Sequence, residues 1–474
     1  MVQRLLTKYE LTIHIVGLCL FPLFFIGQSR VFGFASLFWL SLIAIEWMLL
    51  LPAVRRGETL ADARRRVVFA FWRDPFLYLG GAFIGLVAVQ SLNSGCELIY
   101  LFDADVWKLS EPPFSWAPFS IERDAPVTQL AIFTACLVVG VVLRVSAGKA
   151  AKRVLLQILS AFSGVFALVC VGLALQGHEP WGALAAGSAN AGAGIYFCFW
   201  SVLGMGLLVE VLANRRRGGS LLFLFGFLGN LLGLLCFANP LTLLLCAIIL
   251  LLLLLYWIVY LNPLVPKSTQ CMLLGSTLVG VSVIVAGLVL FPQTLVAKKV
   301  ESIAMMAEYW GELSAQNSIR SNAAMTIWKE HSLTGIGPDG FYHMVGLAVE
   351  PEDWKVIEKD RTCVYNDGVQ FLCEYGILGG GLLLTMLIVL LSPICFRLRL
   401  VWQNQIRDAE FDRTFLFRLS PIVVSGILSV MLCCFESFFA SPFRSAAVLL
   451  SYVCVLASMP AFLPEQPSEE TSGD

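Results

Sequence analysis

At 474 residues, with 58% hydrophobic and only 14% charged side chains and a mean hydropathy of +0.80, the chain excludes an ordinary soluble domain, in which about a quarter of residues are charged. The formal net charge of −1 offers no basic field to nucleic acid, and in such a chain the side on which charges fall matters more than their sum. The composition fits an all-α, polytopic helical membrane protein, since each spanning helix needs about 20 apolar residues.

Hydropathy places about twelve spans. The first five are Leu11–Gly27, Val31–Val54, Phe76–Ser94, Val127–Val145 and Val154–Leu175. Four more follow at Ile195–Ala213, Ser220–Phe237, Leu241–Leu261 and Gln270–Phe291, and the last three are Gly368–Ser392, Leu419–Phe438 and Ser445–Phe462. The first run lacks a small-residue cleavage site and is followed at once by a second, so it reads as a retained span rather than a signal peptide. Asn239-Pro240 is the one sharp break between Leu221 and Leu261. The resulting division is residues 1–291 with nine spans, 292–367 as a large external loop, 368–463 with three spans, and 464–474 as a polar, acidic tail expected to be disordered.

Basic residues alternate sides. Arg55, Arg56 and Arg64 to Arg66 follow the second span; Arg144, Lys149, Lys152 and Arg153 surround the end of the fourth; Arg215 to Arg217 follow the sixth; Arg397, Arg399, Arg407 and Arg413 follow the tenth. The positive-inside rule makes that face, and both termini, cytoplasmic. The other face receives Cys96–Pro126, the Gly/Ala-rich Gly177–Gly194 and the loop Pro292–Asp367. A loop that long is usually functional or disordered, and its Trp310, Trp328, Phe341 and Trp354 argue for order. Apolar spacing over Met305–Lys329 predicts short helices lying at the membrane surface.

Most of the 14 cysteines, such as Cys136, Cys170, Cys246, Cys433 and Cys434, fall in apolar runs and read as small core residues. No Cys-x-x-Cys or His/Cys cluster suggests a metal, and no cofactor is expected. Cys96 and Cys363 are the two placed in external loops, so a disulfide between them is an expectation in an oxidising compartment.

The chemistry gathers where the loop meets the tenth span. Asp367 stands where the helix begins and could cap it. Gln370 and Glu374 follow on the same helical face, and seven residues of rise, about 10 Å, carry Glu374 well below the surface. An ionisable group at that depth marks function by default, although it could also simply bond a neighbouring helix. Gly376, Gly379, Gly380 and Gly381 allow close helix approach. Together these residues predict a polar notch open to the outside. Arg320 in the loop suits bidentate diphosphate contact or snorkelling to lipid headgroups. Lys298, Lys299, Lys355, Lys359 and Arg361 add positive charge, offset by Glu352, Asp353, Glu358 and Asp360. His343 is a further binding candidate, while His331, just before the Gly335–Gly340 turn, reads as structural.

Gly335-Ile-Gly337-Pro-Asp-Gly340-Phe341, then Asn366 with Gly376 and Gly379 at their spacing, and the earlier Gly187-Ser-Ala-Asn190 resemble the O-antigen ligase and polymerase superfamily of membrane glycosyltransferases. Many relatives also carry the acids and amide seen at Asp367, Gln370 and Glu374. The resemblance covers roughly residues 187–384. It implies metal-independent, inverting transfer of a glycan from an undecaprenyl-diphosphate carrier to a glycan, lipid or protein acceptor hydroxyl, at the periplasmic face of a bacterial inner membrane. Tyr365, Asp367 and Glu374 would be catalytic; Arg320, Asn366, Gln370, Arg361 and His343 would bind substrate. One departure matters: the family's His falls on Tyr365, a phenol of pKa about 10 and a poor base at neutral pH. Either a carboxylate takes the role, or Tyr365 is positional, or the enzyme is weakened. A polysaccharide transporter or flippase is the competing class; against it, no two halves repeat and the largest loop is external.

Overall fold

The computed structural model describes residues 38–46, 48, 52, 54, 57–96, 98–101, 106–175, 191–213, 220–261, 306–358, 363–407 and 419–463. About 79% of it is helical, which establishes the all-α class apart from one hairpin. Six helices are long and apolar enough to cross a membrane, and three shorter apolar ones lie over the seventh, eleventh and twelfth expected spans. The first and ninth expected spans lie outside the described residues, as do the 177–190 segment and the 464–474 tail; of the second, mainly 38–46 are described, and they are helical.

The helices are α1 (Leu60–Phe71), α2 (Pro75–Leu92), α3 (Ala125–Val145), α4 (Lys149–Leu175), α5 (Ala191–Ala213), α6 (Ser220–Phe237), α7 (Pro240–Leu261), α8 (Met306–Glu330), α9 (Gly340–Ala348), α10 (Trp354–Ile357), α11 (Asp367–Arg407), α12 (Pro421–Glu436) and α13 (Ala446–Ser458). Their starts follow capping chemistry. Thr59 accepts from Asp62 N ahead of α1. Asp74 accepts from Phe76 N, with Pro75 at the first turn of α2, and Asn239 accepts from Thr242 N across the Asn239-Pro240 break. Such caps satisfy amides that the helix leaves orphaned.

Basic residues gather at one end of the bundle. Arg144 bonds both carboxylate oxygens of Asp74, at 2.8 and 3.1 Å. Arg153 pairs with Glu210, Lys152 donates to Ala457 O, and Arg397 donates to Pro460 O. Midway along, α4 and α6 touch backbone to backbone: a Cβ on Gly164 would overlap Gly226 O, and one on Gly229 would overlap Gly164 O. Asn230 locks the pair, donating to Ser160 O and accepting from Ser163 Oγ. Small residues are the usual means of such approach in membranes.

The opposite end is a small domain. Met306–Glu330 is one 25-residue helix rather than several short ones. One face of it packs on protein: Ala323, Ala324 and Ile327 are buried with Phe341, Val345, Ile357, Val364 and Cys373 in a core of the loop's own. Cys96 and Ile121 join that core from the 96–126 segment, which also forms an antiparallel hairpin, β1 (Leu98–Leu101) with β2 (Val106–Leu109). Burial of a continuous apolar face against protein, not lipid, is what an ordered loop of this length requires. The expected Cys96–Cys363 disulfide is not formed: neither cysteine is disulfide-bonded, and both are buried. Cys96 packs in this core, and Cys363 accepts from Arg444 Nη1 at 3.3 Å.

Candidate functional site at the broken helix

The site is built on an interrupted helix. Within α11, Gly376 has φ 64° and ψ −168°, a region open essentially to glycine alone. The break releases backbone groups on both sides, and a second segment collects them. Ile336 N donates to Cys373 O and Gly337 N to Glu374 O, at 3.1 and 2.9 Å; Ile377 N and Leu378 N donate to Ser332 O and Leu333 O. Gln90, fully buried on α2, donates hydrogen bonds from Nε2 to Glu374 O and to Thr334 O. On its other side the same segment accepts from Ile121 N through Ile336 O. Three backbones, 120–121, 335–337 and 373–374, are thus laminated. The glycines are dictated by this crossing: a Cβ on Gly335 would overlap the backbone of Glu374, and one on Gly376 that of Leu333. Non-helical backbone is tolerated at membrane depth only where protein satisfies it.

Of the expected packing glycines, Gly379 approaches Leu86 of α2, whereas Gly381 has nothing within 4 Å of a Cβ position. Close approach therefore holds at one end of that run and not at the other.

The polar stripe sits on the segment above the break. Gln370 Nε2 donates to Glu374 Oε1 at 2.7 Å, so the two share a face. Gln370 Oε1 accepts from Val364 N at 3.2 Å and from Ser441 Oγ at 3.5 Å. Asp367 is not the cap. That role falls to Asn366, whose Oδ1 accepts from Val369 N at 3.1 Å. The Asp367 carboxylate turns instead to Phe443 N, at 3.1 Å, and its backbone N–H to Ser437 O. Its other oxygen, Oδ1, is buried with no hydrogen-bond partner among the described residues, an expensive arrangement for a purely structural carboxylate. The stripe is not an open notch: Asp367, Gln370 and Glu374 are 2%, 0% and 2% exposed, because the 437–444 segment and the loop domain close over it.

Arg320 does not reach lipid headgroups. It is 4% exposed, and its guanidinium lies over the Tyr365 ring, 4.9 Å from the centroid. Stacking of this kind is worth up to about 2 kcal/mol when desolvated. Three residues earlier on the same face of α8, Asn317 reaches Phe439 O, so the helix is pinned to the 437–444 segment as well. Tyr365 has φ 58°, a left-handed backbone that is a strain signal in a bulky residue. It directly precedes the Asn366 cap and Asp367.

Sequence reasoning brings Tyr365, Asn366, Asp367, Gln370, Glu374 and Arg320 to one place. His343 is elsewhere, its Nε2 2.8 Å from Glu122 Oε2. Arg361 lies outside the described residues. Arg444 was not expected. It is 8% exposed, pairs with Asp339 and follows Phe443, which binds Asp367. Burial brings its guanidinium down to about 10, still cationic at neutrality. The missed signal was an arginine in the short turn between the last two expected spans, on the face that the positive-inside expectation makes external. Glu436, 0% exposed and adjacent to Ser437, is a further buried acid that lies inside an apolar run of the sequence. Among the described residues no group of three or more His, Cys, Asp or Glu could hold a metal ion.

The arrangement sets a buried guanidinium on an aromatic ring beside two buried carboxylates, with water excluded from all of them. Compared with known families and characterised proteins, the chain matches no family model, and no curated protein matches it.

Proposed function

We propose that this membrane protein is a glycosyltransferase of the O-antigen ligase and polymerase type, acting at the periplasmic face of a bacterial inner membrane with both termini cytoplasmic. The single observation that carries this reading is Arg320 stacked on Tyr365 directly beside the buried Asp367–Gln370–Glu374 stripe. The motif resemblance supports it independently. In this reading a glycan passes from undecaprenyl diphosphate to the hydroxyl of a glycan, lipid or protein acceptor. The acceptor oxygen attacks the anomeric carbon, its proton passes to Asp367 or Glu374, and the diphosphate leaves against Arg320. The electron pair of the broken C–O bond goes with the diphosphate. No metal is required by that balance. Positioning and preorganised charge supply the acceleration.

The test is deletion of the gene with complementation by point variants, reading the surface polysaccharide. Arg320→Ala and Arg320→Lys should each cut transfer by about a hundredfold, since an ammonium cannot copy a bidentate fork. A surface polysaccharide unchanged by deletion of the gene overturns the reading, and near-normal transfer by Arg320→Ala at equal expression removes the diphosphate role of Arg320. Ser314, exposed on α8, gives the topology: Ser314→Cys should label from outside intact cells, and labelling only after lysis would put the site in the wrong compartment.

A second reading, a family member that binds lipid-linked glycan without turning it over, is favoured by Tyr365 in place of His and by the hydrogen-bonded burial of Gln370 and Glu374. Tyr365→His separates the two. Raised transfer marks a weakened enzyme, and no transfer in either form marks a binder.

A further inference from the structure

A cavity of about 440 Å³ opens on the far side of the laminated backbones. One wall is the Gly95–Cys96 turn, the second is the 121–124 stretch leading into α3, and the third is His343 on α9. The Asp367–Glu374 stripe contributes nothing to its lining. Ile121 and Ile336 are bonded across the laminate, so the cavity stands two backbone spacings, about 10 Å, from the Glu374 backbone.

The cavity is assembled, not incidental. Gly95 has φ 95°, and a Cβ there would meet Arg123 Nε at 2.6 Å, so only a bare backbone lets that guanidinium lie on the turn. The turn is held by Gly95 N donating to Ser120 O and by Asn93, whose amide spans Phe114 O, Ala117 O and Pro118 O. Glu122 and His343 face each other at 2.8 Å while each keeps about a third of its side chain exposed. Ile121 supplies apolar surface. Desolvation raises the Cys96 thiol, which makes it wall rather than nucleophile.

We propose that this cavity is a saccharide-binding subsite, in which Glu122, Asp124, Arg123 and His343 hydrogen-bond the hydroxyls of one or two neutral sugar residues. Two carboxylates repel phosphate and other anions, and the guanidinium repels simple cations. A ligand rich in hydroxyls, each both donor and acceptor, satisfies both kinds of group. The volume lies toward the small end of ligand pockets, about 300–1,000 Å³. The choice of a sugar over other polyhydroxyl ligands rests on the glycan-transfer reading.

The experiment uses the full chain in lipid nanodiscs, with saturation-transfer NMR of glucose, galactose, N-acetylglucosamine and maltose, and with inorganic phosphate as the anionic probe. At least one sugar should bind saturably, and Glu122→Gln and Arg123→Ala should each weaken it about tenfold, as loss of a charged hydrogen bond does. Arg123 is exposed, so its variant folds even if the other does not. No saturable sugar binding, binding unchanged in both variants, or preference for phosphate overturns the proposal. Absent sugar binding together with lost transfer by Arg320→Lys removes the cavity and leaves the transfer reading standing. Sugar binding sensitive to Glu122→Gln together with a surface polysaccharide unchanged by deletion of the gene does the reverse.

Discussion

Glycine brings backbones into contact in two regions of this molecule, for different reasons. Midway along α4 and α6, Gly164, Gly226 and Gly229 are helical and merely thin, so that two complete helices can touch. At the Gly376 break the residue is needed for its dihedral angles as well as its size, because the helix itself is incomplete there. In the first region every backbone bond is local and the glycines only set a distance. In the second, backbone bonds of one element are made by another. The first can be loosened by degrees; the second is all or none.

The largest effect tests that claim. Gly376→Ala combines a forbidden dihedral with overlap on Leu333, and should cost more than about 4 kcal/mol, read as loss of monodisperse protein in detergent. Gly164→Ala should cost about 3 kcal/mol, the upper end of overpacking, with the fold retained and the thermal midpoint lowered. Equal or reversed costs would break the distinction between shape and dihedral.

A smaller effect sharpens it. Gln370→Met removes the donor to Glu374 and the acceptor for Val364, for about 1–2 kcal/mol, but it should abolish glycan transfer while the fold persists. Retained transfer would make the stripe merely structural.

The smallest effect concerns His331, whose ring meets Phe119 at the foot of the laminated segment. Burial lowers its pKa below the ordinary 6.5. The unfolded chain therefore binds more protons, so this contribution to stability is full above 6.5 and is lost as the pH falls through it. Comparing thermal midpoints at about pH 7.5 and about pH 5, His331→Gln should show a shallower acid decline than the parent. An equal decline would remove the assignment.

The spans were legible because lipid demands long apolar runs, and nine of the twelve coincide with apolar helices among the described residues. The shared face of Gln370 and Glu374 followed from helical periodicity alone. Other features depend on partners remote in sequence. Asn366 displaced Asp367 as the cap because Phe443 N, from the turn before the last helix, claims that carboxylate. The helical spacing of apolar residues in α8 was legible, but not their partners: Ala323 and Ala324 face a core whose other members come from the 96–126 and 336–373 stretches. Gly376 in an apolar run reads as packing; only its crossing by residues 331–337 makes it a hinge-like break.

That crossing bears on how the protein is made. A membrane helix normally enters the bilayer as a self-sufficient unit, its polar backbone already satisfied. Residues 367–375 cannot, since the carbonyls of Cys373 and Glu374 are completed by residues 336 and 337 and by Gln90, and each left bare in hydrocarbon would cost several kcal/mol. The segment that completes them is synthesised earlier, so its folding must precede or accompany insertion of the span. In assembly terms the first nine residues of α11 belong to the loop domain and the remainder to the bundle. The frontier between backbone solvated by its own helix and backbone solvated by tertiary structure runs through Gly376.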